Sequence, residues 1–379
     1  MKFHIMSEWK TYKLGDLIEC IIDNRGKSAP ISISNYQPII EITALGQREV
    51  NYDVIRKYVS KETYDTWFRA GHPKIGDILF STVGTIGLTS LMTQDVGCIA
   101  QNIIALRVND KLLNNQYLYY FLNNKTTKIN LNNLNIGGVQ PSIKLPHLLN
   151  MPISLPPLTE QKRIADILSA IDDKIELNRR INANLEQQAQ ALYKSWFVDF
   201  EPFGGKMPED WREGTLGEIM TITSGKHPKN RVSIKTKDVN IPIVGAADII
   251  GYTNEMLYST PILIIGRVGT HGIVQRFSTK CWPSDNTLVI QTKYYEMCYQ
   301  LLKQIDYKKL NRGSTQPLIT QTDIKGVEII IPPIEILEEY ENRVSILFHS
   351  INNYDIENST LSALRDTLLP KLMSGEITV

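Results

Sequence analysis

The chain has 379 residues, of which 42% are hydrophobic and 21% are charged, and its formal net charge is +1. This length and apolar content suit two or three domains with their own cores and exclude wholesale disorder. No run approaches the ~18 consecutive apolar residues of a membrane span, and the N-terminus lacks a signal-peptide apolar core, so we expect a cytoplasmic protein. The four cysteines have no Cys-x-x-Cys spacing, which argues against a disulfide scaffold or a zinc site.

The first part of the chain has the pattern of a mainly β domain with a few helices. Short apolar runs enriched in β-branched residues are separated by Gly, Asn and Pro clusters, which is typical of short strands. Strands are predicted at residues 17–22, 38–43, 78–82, 88–92 and 99–108, with a helix near 115–123. The plan recurs with strands at 241–244, 262–265, 272–277 and 288–291 and a helix at 294–304. We therefore expect two related α+β units.

Residue identities mark an internal repeat. Gln140-Pro141 recurs as Gln316-Pro317 at an offset of 176, whereas Val83-Gly84-Thr85 recurs as Val268-Gly269-Thr270 at an offset of 185. The offset is 202 at the tryptophans that open the two copies, so the second variable region is 26 residues shorter than the first. A repeat of this size indicates a duplicated domain pair, since solenoid repeats have periods of only ~20–50 residues.

Each copy ends at a diproline, Pro156-Pro157 and Pro332-Pro333, after which the hydrophobic period changes from 2 to about 3.5. This predicts two heptad helices that pair with each other, the first over about 159–198. At ~1.5 Å per residue such a helix is ~60 Å long and can hold two domains at a fixed distance. The predicted coiled-coil seam comprises Ile164, Leu168, Ile171, Ile175, Leu185, Leu192, Val344, Leu347, Ile351, Leu361 and Leu368.

One segment is strongly basic. Residues 224–237 contain five Lys or Arg residues and no acid, and Gly and Pro within the segment favour a loop. A solvated loop is one interpretation. Contact with phosphate is the other, because clustered Lys and Arg displace counterions and supply most of the non-specific affinity for DNA.

The sequence lacks the motifs of common catalytic sites. Gly26-Lys27-Ser28 resembles the end of a phosphate-binding loop, but position 21 is Ile21 where that motif needs glycine. The histidines have no metal-ligand spacing, and no Gly-x-Ser-x-Gly motif is present. Neither diproline has the Asn or Asp before it and the aromatic after it that amino-methyltransferases carry. We therefore expect no catalytic residues and no metal.

The order of variable β-rich domain, heptad helix, second variable domain and second heptad helix resembles the specificity (S) subunit of type I restriction-modification systems. The resemblance covers essentially the whole chain. Its most specific stretches are LPPLTEQKRIA at 155–165, ALYKSWFVDF at 191–200 and LRDTLLPKLMSGEI at 364–377. One departure is Ile334-Glu335-Ile336-Leu337, which replaces the usual Leu-x-Glu-Gln at the start of the second helix.

The resemblance implies an α+β chain of two target recognition domains and two long helices forming an antiparallel coiled coil, with pseudo-twofold internal repetition. The expected segments are recognition domain 1 at 1–155, a central helix at 156–200, recognition domain 2 at 201–331 and a distal helix at 332–379. The implied partners are double-stranded DNA, two methyltransferase subunits and, where present, restriction subunits. The resemblance further implies adenine methyltransferase and ATP-dependent endonuclease activities on those partners. S-adenosylmethionine, ATP and Mg are expected there, with no cofactor on this non-catalytic chain.

The variable domains would then each read one half of a bipartite DNA target. Because the two domains diverge in sequence and length, we expect a non-palindromic target whose half-site spacing depends on the coiled coil. Arg can grip guanine and Gln adenine through paired hydrogen bonds, whereas Lys is better suited to phosphate. The predicted DNA-binding residues, led by Arg25 and Arg267, are Asn24, Arg25, Lys27, Ser81, Thr82, Thr85, Gln140, Lys226, Lys229, Arg231, Arg267, Thr270, His271, Ser314, Thr315 and Gln316.

Two other functions stay open on the residues alone. The first is a scaffold in which two modules on a coiled-coil spacer bind proteins rather than DNA, which the near-neutral net charge would suit. The second is a stand-alone methyltransferase or nuclease, against which the absent catalytic motifs argue. The acid-free basic segment favours the DNA-binding interpretation over the scaffold.

Overall fold

A computed structural model describes residues 9–26, 28–138, 140–268, 272–310 and 318–379. The chain folds into two compact units. Unit 1 contains the described residues through Glu176 together with Glu357–Val379, and unit 2 is Leu177–Ile356. Each unit therefore contains one variable region and a segment of each long helix. Within the described ranges, no helix is both long and apolar enough to cross a bilayer.

Unit 1 is built on short strands that pair antiparallel, apart from the parallel pair formed by Gln37–Ile40 and Cys98–Ile99. The strands are β1 (Lys10–Lys13), β2 (Ile18–Asp23), β3 (Gln37–Ile40), β4 (Tyr58–Val59), β5 (Ile78–Ser81), β6 (Thr89–Leu91), β7 (Cys98–Ile99), β8 (Ile103–Val108) and β9 (Pro152–Leu155). The helices are α1 (Lys61–Trp67), α2 (Asn115–Asn123), α3 (Lys125–Asn133), α4 (Leu145–Leu149) and the first part of α5 (Leu158–Phe197). Strands β2-β8-β5-β6 form one sheet, β4-β3-β7 form a second, and β1 pairs with β9.

Strand register brings several loops of unit 1 to one edge of the first sheet. Asp23, the last residue of β2, lies opposite Ile104, and Ser81, the last residue of β5, lies opposite Ile103. Because β2 and β5 both run antiparallel to β8, they end where β8 begins. We call this edge, with residues 24–26 and 28 and the loops 82–88 and 100–102, the loop edge of unit 1. Helix α5 begins at the other end of the unit, where Leu158 lines a cavity with Glu19 and Val108.

Unit 2 repeats the plan strand for strand. Its strands are β10 (Arg212–Thr215), β11 (Thr221–Ser224), β12 (Ile241–Val244), β13 (Ile249–Thr253), β14 (Ile262–Gly266), β15 (Val274–Phe277), β16 (Trp282–Pro283), β17 (Thr287–Gln291) and β18 (Glu328–Ile331). Its helices are α6 (Leu216–Ile219), α7 (Tyr295–Gln304), α8 (Tyr307–Leu310), α9 (Gln321–Lys325) and the first part of α10 (Ile334–Ser374). The sheet orders β11-β17-β14-β15 and β13-β12-β16, with the pair β10-β18, match those of unit 1. The predicted sequence repeat is therefore a structural repeat.

The first long helix is tied to unit 1 at its start. It begins at Leu158, one residue before the predicted start, because the carbonyl of Pro157 accepts hydrogen bonds from the backbone N–H groups of residues 160 and 161. The buried Gln161 side chain accepts from the Asn114 N–H at 3.0 Å and donates to the Leu112 carbonyl at 3.1 Å. The residue 176 positions later is Leu337, which is buried in the apolar core of unit 2. The departure at the second diproline thus reflects two different ways of attaching the helix.

Within unit 1 the two helical segments run antiparallel. Asp172 pairs with Arg365 at 2.8 Å, and Lys174 pairs with Glu357 at 3.5 Å, so residue numbers rise along one helix as they fall along the other. The hydroxyl of Tyr120 also donates to Asp172 at 2.7 Å. Arg365, which interrupts the apolar seam in the sequence, is therefore held by an ion pair that also links the helices to α2.

Unit 2 has the same antiparallel arrangement. The amide of Asn182 donates to Asp355 at 2.8 Å and to the Ile351 carbonyl at 3.3 Å, while Tyr193 packs edge-on against Tyr340 with ring centroids 6.3 Å apart. The fold class predicted from the sequence, α+β with paired antiparallel helices, is confirmed. None of the predicted seam residues is exposed: Ile164, Leu168, Ile175 and Val344 are buried, and Ile171, Leu185, Leu192, Leu347, Ile351, Leu361 and Leu368 are half-buried.

Helix α7 is capped by a carboxyl group from α10. Its own N-cap residue makes no side-chain hydrogen bond, and Glu341 instead accepts the backbone N–H groups of Glu296 at 2.8 Å and Met297 at 3.2 Å. Burial raises the pKa of Glu341 to about 7, although these two hydrogen bonds act to lower it. The folded protein therefore holds a proton on this carboxyl at pH values where the unfolded chain has lost it.

This cap predicts a pH dependence of stability. A carboxyl whose pKa is raised on folding contributes stability that is fully present below its unfolded pKa, ~4.3, and is lost as the pH rises through about 7. We expect Glu341→Gln to reduce the loss in free energy of unfolding between pH 5 and pH 8 by ~1–3 kcal/mol, measured by urea denaturation at both values. Glu339→Gln, which changes an exposed carboxyl on the same helix, is the control. Equal pH slopes for Glu341→Gln and the unchanged protein would contradict the prediction.

Candidate nucleic-acid interface

The loop between β5 and β6 is a tight turn held by a buried hydroxyl. Ser81 donates to the Thr85 carbonyl at 2.6 Å and accepts from the Leu88 N–H at 2.8 Å. Gly84 and Gly87 have φ values of +84° and +77°, a region that favours glycine. The buried side chains of Ser81 and Thr82 thus form hydrogen bonds within the unit, Thr82 to the Asn102 carbonyl at 3.2 Å. Of the predicted DNA-binding residues in this loop, Thr85 is the one exposed at the tip.

A second segment, residues 135–143, is attached to this turn. The Gly84 N–H donates to the Pro141 carbonyl at 2.9 Å, and the Ile143 N–H donates to the Thr82 carbonyl at 2.9 Å. A Cβ atom on Gly137 would lie 1.8 Å from the Gln140 carbonyl oxygen, so only glycine fits there. The segment leaves the Gln140 side chain exposed, with its amide nitrogen 3.9 Å from the Cβ position of Gly84. Gln140 and Thr85 therefore lie on the same part of the loop edge.

The loop after β2 carries the other predicted residues of unit 1. The Asn24 side chain donates to the Gly71 carbonyl and accepts from the Ala70 N–H, both at 3.0 Å, and so fixes the loop. The Arg25 Nε donates to Asp23 Oδ1 at 2.7 Å, and its Nη2 also pairs with this carboxylate. Burial acts to raise the pKa of Asp23, but the hydrogen bonds and charge of Arg25 lower it overall. One side of the Arg25 guanidinium is therefore occupied by Asp23.

In unit 2 the corresponding loop follows β11 and is the basic segment, which we define as residues 225–240. It is anchored at its start, where the Lys226 N–H donates to the Pro283 carbonyl at 2.9 Å and the Trp282 indole donates to the Lys226 carbonyl at 2.8 Å. The cationic side chains are exposed: Lys226, Lys229, Arg231, Lys235 and Lys237. Lys229 is 3.8 Å from Glu255, and because both are well exposed this pair is worth little. The segment therefore presents excess positive charge to solvent.

Arg267 lies at the same edge of unit 2, directly after β14. Its backbone N–H donates to the Asn286 carbonyl at 2.9 Å and its carbonyl accepts from the Ile319 N–H at 3.0 Å, which is the pattern of Thr82 in unit 1. The Arg267 Nε is buried and has no hydrogen-bond partner among the described residues. A buried donor without a partner is costly. The Arg267 Nε differs in this respect from the Arg25 Nε, which donates to Asp23.

Six predicted DNA-binding residues lie outside the described residues: Lys27, Thr270, His271, Ser314, Thr315 and Gln316. DNA contact by the whole predicted set stays a prediction. Asn102 and Asn286, whose carbonyls hold the two edge turns, were not predicted as functional residues. Each asparagine directly precedes an equivalent strand of the repeat, β8 or β17, but the predicted strand at 99–108 had included Asn102.

Neither a metal cluster nor an activated thiol is found at the described part of the loop edges. Within the described residues, no cluster of three or more His, Cys, Asp or Glu side chains could hold a metal ion. Burial raises the pKa of the Cys98 thiol to about 12 and that of Cys281 to about 11, so neither is a thiolate at neutral pH. The chemistry available at the edges is hydrogen bonding, charge and apolar contact.

A family model described as the type I restriction modification DNA specificity domain matches residues 6–187 and 208–365. The chain belongs to this specificity-subunit family. Its members are the non-catalytic components of type I restriction-modification systems, so this specificity subunit contributes recognition rather than chemistry. The two matched ranges each contain one copy of the repeat, in agreement with the duplicated strand order.

Individual relatives agree with this assignment. The MjaIX specificity subunit of Methanocaldococcus jannaschii is 30% identical over 342 residues, covering 78% of each chain. The HindI specificity subunit of Haemophilus influenzae is 25% identical and the match covers 98% of this chain and 100% of that one. Among solved structures, the S subunit from M. genitalium has a TM-score of 0.63 at 18% identity, with 98% of each chain covered. This specificity subunit therefore shares its fold with that protein.

Proposed function

We propose that this specificity subunit reads a bipartite, non-palindromic DNA target, with one half-site recognised by each unit. The observation that supports this most directly is one scaffold with two different loop edges. Unit 1 presents Thr85 and Gln140 beside an Arg25 that is paired with Asp23, whereas unit 2 presents the basic segment and Arg267. Equivalent strand arrangements that carry two different sets of hydrogen-bond donors suit two different half-sites.

Different residues of the two loop edges would contact phosphate and bases. The exposed lysines of the basic segment suit phosphate, which positions a protein on DNA without reading sequence. A guanidinium such as that of Arg267 carries the paired donors that guanine requires, and the exposed Gln140 amide carries the paired donor and acceptor that adenine requires. Ser81 and Thr82 would act indirectly, by holding the turn that carries Thr85.

We also propose the boundaries and partners of the subunit. Recognition domains at 1–155 and 201–331 would be joined by helical segments at 156–200 and 332–379, which bind two methyltransferase subunits and, where present, restriction subunits in the cytoplasm. Repetition of the helices supports two similar docking surfaces for two identical partners. Exposed apolar side chains on α5 and α10, including Leu177 at 52% and Ile346 at 66%, would suit protein contacts. S-adenosylmethionine, ATP and Mg would be bound by those partners.

The test is genome-wide mapping of methylated adenine in cells that express this chain with its cognate methyltransferase subunit, and in cells that lack only this chain. We expect a bipartite, non-palindromic motif that is methylated in the first cells and unmethylated in the second. Unchanged methylation, with an active methyltransferase subunit present, would contradict the proposal and favour a protein-binding scaffold.

A further inference from the structure

Each unit has a strongly exposed isoleucine in the segment that leads from its loop edge into the second sheet, and unit 1 also exposes Ile31 there, at 64%. Ile33 is 99% exposed, and Ile234 is 77% exposed. Isolated exposed apolar residues are common on protein surfaces and need no explanation singly. Exposed isoleucines that recur at corresponding places in two divergent copies of a repeat do need an explanation.

The backbone shows that the two places correspond. The Ser32 N–H donates to the Tyr58 carbonyl at 2.8 Å, and the Val232 N–H donates to the Tyr252 carbonyl at 3.0 Å. The two tyrosines are equivalent, since Tyr58 lies opposite the proline of β3 and Tyr252 lies opposite the proline of β12. Ile33 follows this shared hydrogen bond by one residue and Ile234 follows it by two, so both lie where the chain turns away from the strand.

The surroundings of these isoleucines are those of a nucleic-acid contact. Ile234 lies within the basic segment, between Arg231 and Lys235, both of which are exposed. Ile33 lies between two serines whose hydroxyls are 2.8 Å apart. Cores of protein–protein interfaces are depleted of charged residues. At DNA, in contrast, Lys, Arg and Ser side chains bind phosphate while an apolar side chain can contact a thymine methyl group.

We infer that Ile33 and Ile234 are specificity-determining residues that each contact the C5-methyl group of a thymine in the major groove. This inference rests on the proposed function and adds an apolar contact to the polar ones already described. The thymine methyl is the one apolar group that distinguishes base pairs in that groove. A half-site methylated at adenine always contains a thymine on the opposite strand, so both half-sites supply such a group.

The test removes either the isoleucine side chain or the thymine methyl group. It uses the assembled complex with the methyltransferase subunits. Binding is measured on a duplex carrying the mapped target and on duplexes in which uracil replaces every thymine of one half-site, which deletes only methyl groups. We expect Ile33→Ala and Ile234→Ala each to weaken binding of the thymine duplex about four- to tenfold. Uracil in the half-site that the isoleucine contacts should weaken DNA binding by the unchanged complex by a similar factor. On that uracil duplex, the alanine substitution should cause no further loss of binding.

Controls separate the inference from the proposed function. Ile75→Ala, at a residue 61% exposed near the other end of unit 1, should bind the thymine duplex as the unchanged complex does. If both substituted complexes bind thymine and uracil duplexes like the unchanged one, or if the protein and DNA changes are additive, the inference is wrong. In either case preference of the unchanged complex for the target over a scrambled duplex would leave the proposed function standing. Absence of that preference would instead contradict the proposed function itself.

Discussion

Alanine at Lys226, Lys229, Lys235 and Lys237 is expected to weaken binding of target DNA by about a hundredfold to a thousandfold at 0.15 M salt. All four side chains are exposed on the basic segment, and Lys229 alone has a nearby carboxylate among the described residues, at 3.8 Å. For each phosphate contact that is lost, about one counterion fewer is released on binding. The slope of log K against log salt should therefore become less steep by about 3–4. Fluorescence anisotropy of a labelled duplex across a salt series, with the assembled complex, measures both quantities.

The control for this change is Lys293→Ala with Lys325→Ala. Lys293 follows the end of β17, and Lys325 ends α9 beside Gly217, so both lie near the start of β11 rather than its end. The control should leave the salt slope within about one of its original value, although it also removes positive charge from unit 2. Equal losses in the two variants would show that binding depends on net charge alone and not on the basic segment.

Arg276→Ala is expected to lower the free energy of unfolding of unit 2 by about 3 kcal/mol. Arg276 on β15 pairs with Glu296 on α7 through two hydrogen bonds, one of them at 2.7 Å, and lies 3.6 Å from the ring centroid of Phe348 on α10. The Glu296 side chain is only 9% exposed, and burial raises its pKa while Arg276 lowers it. Removal of the arginine would leave a buried carboxylate without its partner, which is far costlier than loss of a surface pair.

Chemical denaturation monitored by tryptophan fluorescence measures this effect, because Trp196 and Trp211 both pack in unit 2. The double change Arg276→Met with Glu296→Gln is the matched control, since it removes both charges but keeps most of the volume. We expect the double variant to regain more than half of the lost stability. A double variant as unstable as Arg276→Ala would assign the effect to packing on Phe348 rather than to the buried charge.

Much of the fold could be predicted from local sequence. The strands over 241–244 and 78–81 and the helix at 115–123 coincide with predicted elements, because their apolar runs are bounded by turn residues. Strands β1 and β9 were not predicted, since each is only four residues long and they pair across the unit, Lys10 with Leu155. The predicted strand at 99–108 is in fact β7 and β8, separated by the loop in which Asn102 holds the turn of β5. Pairing between strands that are distant in the sequence leaves no periodic pattern in the local residues.

The candidate site was less predictable, because polarity does not reveal which way a side chain points. Ser81 and Thr82 have the composition of a DNA-contacting loop, yet the turn buries their hydroxyls. The pairing of Arg25 with Asp23 depends on the conformation of the loop, although the two residues are only two positions apart. The five cations within residues 224–237 are exposed, in agreement with the expected loop, since so many cations without an acid among them cannot be buried.

The composition of the two units sets an order for their completion during synthesis. Unit 2 is one continuous stretch, Leu177–Ile356, so a ribosome can deliver all of it before translation ends. Unit 1 begins earlier but includes Glu357–Val379, and its core contains Leu369, Leu372 and Met373. Unit 1 therefore stays incomplete, with apolar surface uncovered, until residues 357–379 emerge. A nascent chain that stalls before this point would hold a complete unit 2 and an incomplete unit 1.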